Sequence, residues 1–451
     1  MDGQRNAGAR ALRRLRTKRG WSWTELAAQL RSQGRRLHIT RIGTAQLNSI
    51  RRTIGRWEAA VSVPDDQYQV LLAHVYARTP AGSVALGSGS DFRELVDTLA
   101  LLGVPSERID ELTNTVVAAV TDTGTSLLAF LGASTRADLA GVLARPESLS
   151  VSVLEGIDAA SVAVDGQIGT VPFVRLHLAQ AAVVEACRHL LLGDHSAELR
   201  ARLNTVAARA LALAARLAFE TRDDSAALAL YSEAVAIAGE FDLSRRALIR
   251  SSQTMVTYYS TGDIGRARRI ADAAARDARR GDSVLMRARA QALQAEMAAR
   301  SRPPQARRAQ AALHRAWRDL TSDTAGDPMA GSFSMGRLRG FEGVCGIFLG
   351  DAEAAERQLA RSAEALTRSR EGVQRAIVLT DRALARLRTS GAGAPEAATE
   401  QLHECVELIG ATRARVPAQR LKLARQELRP WRREAFVADL DDHIHSALIG
   451  T

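Results

Sequence analysis

Between residues 47 and 57 the apolar side chains Leu47, Ile50, Ile54 and Trp57 recur at intervals of three and four, the period of a helix buried along one face. The residues between them are polar and basic, and Arg51, Arg52, Thr53 and Arg56 fall mainly on the other faces. Upstream, ARALRRLRTKRGWSWTELAAQLR (residues 9–31) predicts two short helices broken at Gly20. Ser22 and Glu25 stand three apart at the start of the second, the spacing at which hydroxyl and carboxylate cap each other's backbone donors. A polar insertion, RSQGRRLHITRIG, then separates this helix from the third, and Pro64 precedes a last helix in DDQYQVLLAHVYART. The Gly/Ser-rich stretch AGSVALGSGS, residues 81–90, predicts a flexible linker.

Residues 91–175 are helical in pattern but irregular, with RIDELTNTVVAAV as the clearest amphipathic piece, and are expected to form an N-terminal cap on the rest of the chain. From residue 176 the chain repeats. Polar turns aligned at Asp223, Asp263, Pro303, Asp351 and Gly391 are separated by 40, 40, 48 and 40 residues, and the long interval contains an extra loop, TSDTAGDPMAGS. Such a period predicts stacked helix pairs. Ala227, Ala267 and Ala355, four residues after their turns, are the small residues such pairs need where two helices meet closely. The organisation is thus 1–80, a linker at 81–90, a connecting region at 91–175 and a repeat domain at 176–451.

Composition agrees with an all-α fold: aromatic residues make up only 4% of 451 and alanine, leucine and arginine dominate. Charge adds a location. Residues 1–60 hold fourteen Arg or Lys against Asp2, Glu25 and Glu58, which accounts for the whole net charge of +11, since the other residues carry 47 of each sign. A basic head on a neutral body points to a polyanion partner for the head alone.

Other chemistry is sparse. Cys187, Cys345 and Cys405 are far apart and odd in number, which predicts core thiols in a reducing compartment and no disulfide framework. No apolar run approaches a membrane span and no apolar leader opens the chain, so a cytoplasmic location without membrane partners is expected. Neither lysine, Lys18 or Lys422, follows a Gly-rich turn, and no HExxH, GxSxG or GxGxxG occurs, so no enzyme, cofactor or nucleotide site is expected. His443/His445, Cys187/His189 and His403/Cys405 are two residues apart and face different ways on a helix, which makes them poor metal chelates.

Thr53-Ile54-Gly55-Arg56-Trp57-Glu58, preceded by LRRLRTKRGWS and followed by Pro64 and YQVLLAHVY, resembles the core of the Xre/Cro-type helix-turn-helix domain. Two departures stand out: Ala60 replaces that family's Gly, and the connection between second and third helices is roughly a dozen residues longer. Residues 176–410 are similar to tetratricopeptide repeats, best around Tyr258, Gly262-Asp263, Ala267 and Ala274, and worst at RSRPPQARRAQAAL. The combination is similar to peptide-sensing regulators of the RRNPP group, an α-solenoid behind a DNA-binding head.

The resemblance implies a non-enzymatic transcriptional regulator that binds double-stranded DNA as a homodimer. Ser49, Arg51, Arg52, Thr53 and Arg56, with Trp23 and Thr24 on the preceding helix, are then the DNA-contacting residues, because arginine bonds guanine N7 and O6 while small hydroxyls reach phosphates. Ile54 and Trp57 belong to the core, and Trp21 and Trp23 also fall where such a core needs them. Carried over to the repeats, the family pattern turns Arg209, Arg216, Ser252, Tyr259, Arg289, Glu296 and Arg337 inward, toward a groove for a peptide or small-molecule effector. The competing expectation is an interaction scaffold whose basic head binds RNA or a protein.

Overall fold

The computed structural model describes residues 2–121, 133–368, 371–389, 391 and 393–448. The rest of the expected connecting region, residues 122–132, lies outside these. Every regular element among the described residues is a helix. In chain order they are α1 (Asp2–Lys18), α2 (Trp23–Arg36), α3 (Thr40–Gly43), α4 (Leu47–Glu58), α5 (Asp66–Tyr76), α6 (Asp91–Leu101), α7 (Ser106–Thr121), α8 (Ala133–Ala144), α9 (Val151–Gly166), α10 (Phe173–Leu191) and α11 (Ala197–Glu220). Then come α12 (Asp224–Ala238), α13 (Leu243–Thr261), α14 (Ile264–Arg280), α15 (Val284–Ala299), α16 (Ala306–Leu320), α17 (Met335–Leu349), α18 (Ala352–Ala365), α19 (Gly372–Leu387), α20 (Ala394–Thr412), α21 (Arg415–Glu427) and α22 (Ala435–Ala447). None of them is long and apolar enough to cross a membrane.

Two expectations about the head change. The insertion between α2 and α4 is not a polar excursion: Leu37, Ile39 and Ile42 are buried in the same core as Leu26, Ile50 and Trp57. Its short helix, α3, lies so close to α2 that a Cβ at Gly34 would sit 2.9 Å from the Gly43 nitrogen, so only glycine fits there. The second change concerns residues 81–90, which form a pinned turn instead of a free linker. Ala85 donates its N–H to Ala77 and Thr79 to Ser83, while the Arg78 guanidinium bonds the Gly82 carbonyl. Beyond it α6 packs on α1, with Lys18 2.8 Å from Asp91 and 3.0 Å from Glu94, and Phe92, Leu95, Leu99 and Leu102 complete the head core. The first packed unit therefore runs through α7 and takes in Val174 and Leu178 of α10.

In the body, α11/α12, α13/α14, α15/α16, α17/α18 and α19/α20 pack as antiparallel neighbours. Each of the five aligned turn positions falls between the two helices of one pair. The recurring aspartate has a local cause: Asp223, Asp263 and Asp351 accept the N–H of Ala226, Arg266 and Ala354 and so cap the second helix. α16 and α20 lack a side-chain cap, and their turns carry Pro303 and Gly391 where the other three carry the capping aspartate. Ala227, Ala267 and Ala355 are buried where the helices cross, and a Cβ on Gly346 would lie 3.0 Å from that of Ala355. All three cysteines are free and buried, and burial pushes the Cys187 and Cys405 thiols up to about 12.

α21 breaks the one-dimensional order of the array. Its first residue, Arg415, donates its N–H to Glu220 at 2.7 Å and its guanidinium to Asp224, at the turn of the first pair. Farther along, Arg420 bonds Tyr259 of the second pair and Asp381 of the fifth, and lies 3.6 Å from Glu296 of the third.

Candidate nucleic-acid interface and effector cavity

The surface of α4 is set by its own period. Ile50, Ile54 and Trp57 face the core, which leaves Ser49, Arg51, Arg52 and Arg56 exposed and Thr53 half-buried. Among the described residues no carboxylate lies within 4 Å of Arg51, Arg52 or Arg56. Arg52 reaches only the Asn48 carbonyl of its own helix, and Thr53 bonds the Ser49 carbonyl. The one acidic residue of the motif, Glu58, is turned away from them. Arg16 of α1 binds it through two nitrogens at 2.7 and 2.8 Å, and Trp23 donates its indole N–H at 2.9 Å.

Trp23 corrects an expectation, since it is 44% exposed rather than part of the core and lies over Gly55 beside the basic face. Trp57 is buried and Trp21 half-buried. Thr24 is exposed one residue farther along. The capping box is present, with Ser22 accepting from Glu25 at 3.2 Å and donating its own N–H to Glu25 at 2.7 Å; these bonds hold the Glu25 carboxyl below its usual range. Ala60, in the place of the resembled family's glycine, has φ of 56°, and Val61 and Ala60 return their N–H groups to Arg56 and Trp57. The left-handed helix stop is thus made by an alanine.

All seven residues expected to point inward on the repeats line one cavity of about 530 Å³. They come from α11, α13, α15 and α17, the first helix of each successive pair. Their availability differs from the expectation. Tyr259 accepts the Arg420 Nε–H at 2.7 Å, and Glu296 is buried and taken by Arg300 at 2.8 Å. Arg209 pairs with Asp158 at 2.8 Å. Val416 and Arg420 of α21 line the same cavity.

Arg289 and Arg337 both donate to the Ser332 carbonyl, at 3.2 and 3.1 Å. Arg216 stands 4.0 Å from Asp165, and Arg337 3.9 Å from Glu371. Burial, followed by the charges of Arg337 and Arg216, pushes the Arg289 guanidinium down to about 10. Ser332 comes from the extra loop that stretched the repeat interval to 48, and Arg420 from a helix beyond the repeats. Periodicity could reach neither.

Searched against models of known protein families and against curated proteins, the sequence matches none of them.

The fold makes one contact that the metal-like spacings did not announce. His403 and His443, on α20 and α22, approach Nδ1 to Nδ1 at 2.7 Å, and Glu407 takes the other nitrogen of His443 at 2.6 Å. This is a hydrogen-bonded chain joining two helices. No group of three or more metal-ligating side chains occurs among the described residues.

Proposed function

We propose that the protein is a cytoplasmic, sequence-specific DNA-binding regulator, an Xre-like head on a tetratricopeptide-like body that binds an effector and holds a homodimer. The observation that carries this reading is the outer face of α4, where Arg51, Arg52 and Arg56 are exposed without a carboxylate partner among the described residues. Elsewhere the molecule pairs most of its buried arginines, so a face kept free of acid suits a polyanion. The exposed Trp23 beside it offers a ring to an unpaired base, which makes single-stranded RNA the competitor to include.

The test is selection of bound duplexes from a random pool, followed by titration with and without single-stranded RNA. With about six phosphate contacts, log K should fall against log salt with a slope near −5. Arg51→Ala or Arg52→Ala should cost about 1–3 kcal/mol on the selected site if the residue reads a guanine. A slope near zero, preference for RNA, or variants indistinguishable from wild type on every sequence would overturn the reading.

A further inference from the structure

The charges of the body sum to zero along the sequence but not in space. Among the second helices of the pairs the signs are sorted: α14 carries six arginines against two aspartates and α16 four arginines against one, whereas α12, α18 and α20 each carry more acidic than basic residues. The three aspartates are committed to other groups. Asp277 is buried and takes Arg246 and Arg250 of α13, Asp319 accepts from Gln291 at 2.9 Å, and Asp272 takes Arg308 at 2.8 Å. The last of these bridges joins α16 to α14, so the two helices lie side by side and their arginines share one surface.

Both helices are one-sided. α14 buries Ala267, Ala271, Ala274 and Ala278, which leaves Arg266, Arg269, Arg276 and Arg279 exposed on the opposite face. α16 buries Ala309, Ala312, Leu313 and Ala316 and exposes Arg307, Arg315 and Arg318. Among the described residues no carboxylate lies within 4 Å of any of these exposed arginines. Along α14 they run from residue 266 to residue 279, about 20 Å of helix, a length over which a duplex carries about twelve phosphate charges.

The chemistry of this face narrows its partner. None of the exposed large hydrophobic residues belongs to α14 or α16, and Trp317 is half-buried with its indole N–H on Glu342 at 3.0 Å. A bilayer surface calls for apolar side chains among the basic ones, a single strand for stacking rings, and a protein partner for an apolar centre to the contact. A duplex backbone calls for none of these.

We propose that α14 and α16 form a second nucleic-acid surface, which binds the phosphate backbone of duplex DNA without reading its bases. Guanidinium groups fixed on two packed helices displace counterions from phosphates and leave sequence to other contacts. The surface belongs to the body, and its binding stands whether or not α4 reads a base.

The experiment follows binding of the full chain to a random-sequence duplex by fluorescence anisotropy, between about 50 mM and about 200 mM salt. The combined variant Arg269→Gln, Arg276→Gln, Arg315→Gln and Arg318→Gln should bind about tenfold more weakly or worse, and should flatten the salt slope by about one for each arginine that holds a phosphate. Arg→Lys at the same four positions should keep the slope, because counterion release needs charge rather than a forked donor. Arg357→Gln with Arg361→Gln, on the acidic α18, should leave affinity and slope as in wild type. The four Gln exchanges are also made in an Arg51→Ala, Arg52→Ala background. If α4 makes no DNA contact, that background binds like wild type and the Gln exchanges still weaken it. Unchanged affinity and slope in the combined Gln variant, or equal losses in the Lys variant, would overturn the surface. Tighter binding to vesicles of phosphatidylserine and phosphatidylcholine, or to polyglutamate, than to the duplex would overturn DNA as its occupant.

Discussion

The backbone N–H of Arg41, in the helix inserted between α2 and α4, donates to the carboxylate of Asp223 at 2.6 Å. Asp223 is buried and at the same time caps α12 through the Ala226 N–H. One carboxylate thus ties the head to the first turn of the repeats, and the His177 ring lies 3.3 Å from the His38 carbonyl at the same junction. Replacing Asp223 by Ala should destabilise the protein by about 1–3 kcal/mol, since it removes a cap and leaves the Arg41 donor without its acceptor. Asp223→Asn, which can still cap, should cost clearly less. Urea denaturation of both variants decides this, and equal losses would mean that the charge at the junction matters and the cap does not.

Glu58 makes the second prediction. It and Arg16 are nearly inaccessible, and its carboxylate satisfies two guanidinium nitrogens and the Trp23 indole. Glu58→Ala should cost about 3–5 kcal/mol, because a buried cation is left without its partner. Arg56→Ala, two residues earlier but exposed, should stay within about 0.5 kcal/mol. Thermal melts of the pair give the contrast; similar shifts in both would mean that Glu58 is not the tie between α1 and α4.

Ala60 supplies a gain. Its φ of 56° places a side chain in the left-handed region, where a Cβ crowds the following carbonyl. Ala60→Gly should stabilise the head by roughly 1 kcal/mol, the relief of strain exceeding the entropy that glycine adds to the unfolded chain. A lower melting temperature in Ala60→Gly would show that the alanine methyl packs better than its backbone conformation suggests.

Acidity should weaken the fold through His74. Burial, then the charges of Arg78 and Arg36, hold this imidazole down to about 4 from its ordinary 6.5. Between those values the unfolded chain binds a proton that the folded chain refuses, so the contribution is complete above about pH 6.5 and is lost as pH falls toward 4. The loss amounts to roughly 3 kcal/mol. Comparison with His74→Gln from pH 8 downward should show wild type losing ground to the variant over that window; a constant gap between them would exclude His74 as the titrating group.

What could be read in the sequence was local. The polar turns, the Ser22–Glu25 capping box and the α4 stripe depend on residues a few positions apart, and the structure places each where those spacings put it. The insertion misled because four arginines and a histidine among its thirteen residues (31–43) concealed Leu37, Ile39 and Ile42, which follow neither a helical nor a strand period. Residues 81–90 misled for another reason: glycine and serine signal a turn whether or not its ends are pinned. Arg41 with Asp223, and Arg420 with Tyr259, are 182 and 161 residues apart, and no pattern in a single chain reports such pairs.

The crossing of α21 from the fifth pair back to the first has a consequence for how the chain is made. A linear repeat array can fold pair by pair as it is synthesised, each unit needing only its neighbour. Here the turn at Glu220 and Asp224 waits for Arg415, 195 and 191 positions later, and that turn adjoins the Asp223 on which the head rests. The ribosome therefore delivers the basic helix first and the strut that ties the first, second and fifth pairs together near the end. A nascent chain paused before residue 415 carries the basic helix but lacks the α21 side chains that line the cavity, so synthesis itself sets the order in which the two ends become complete.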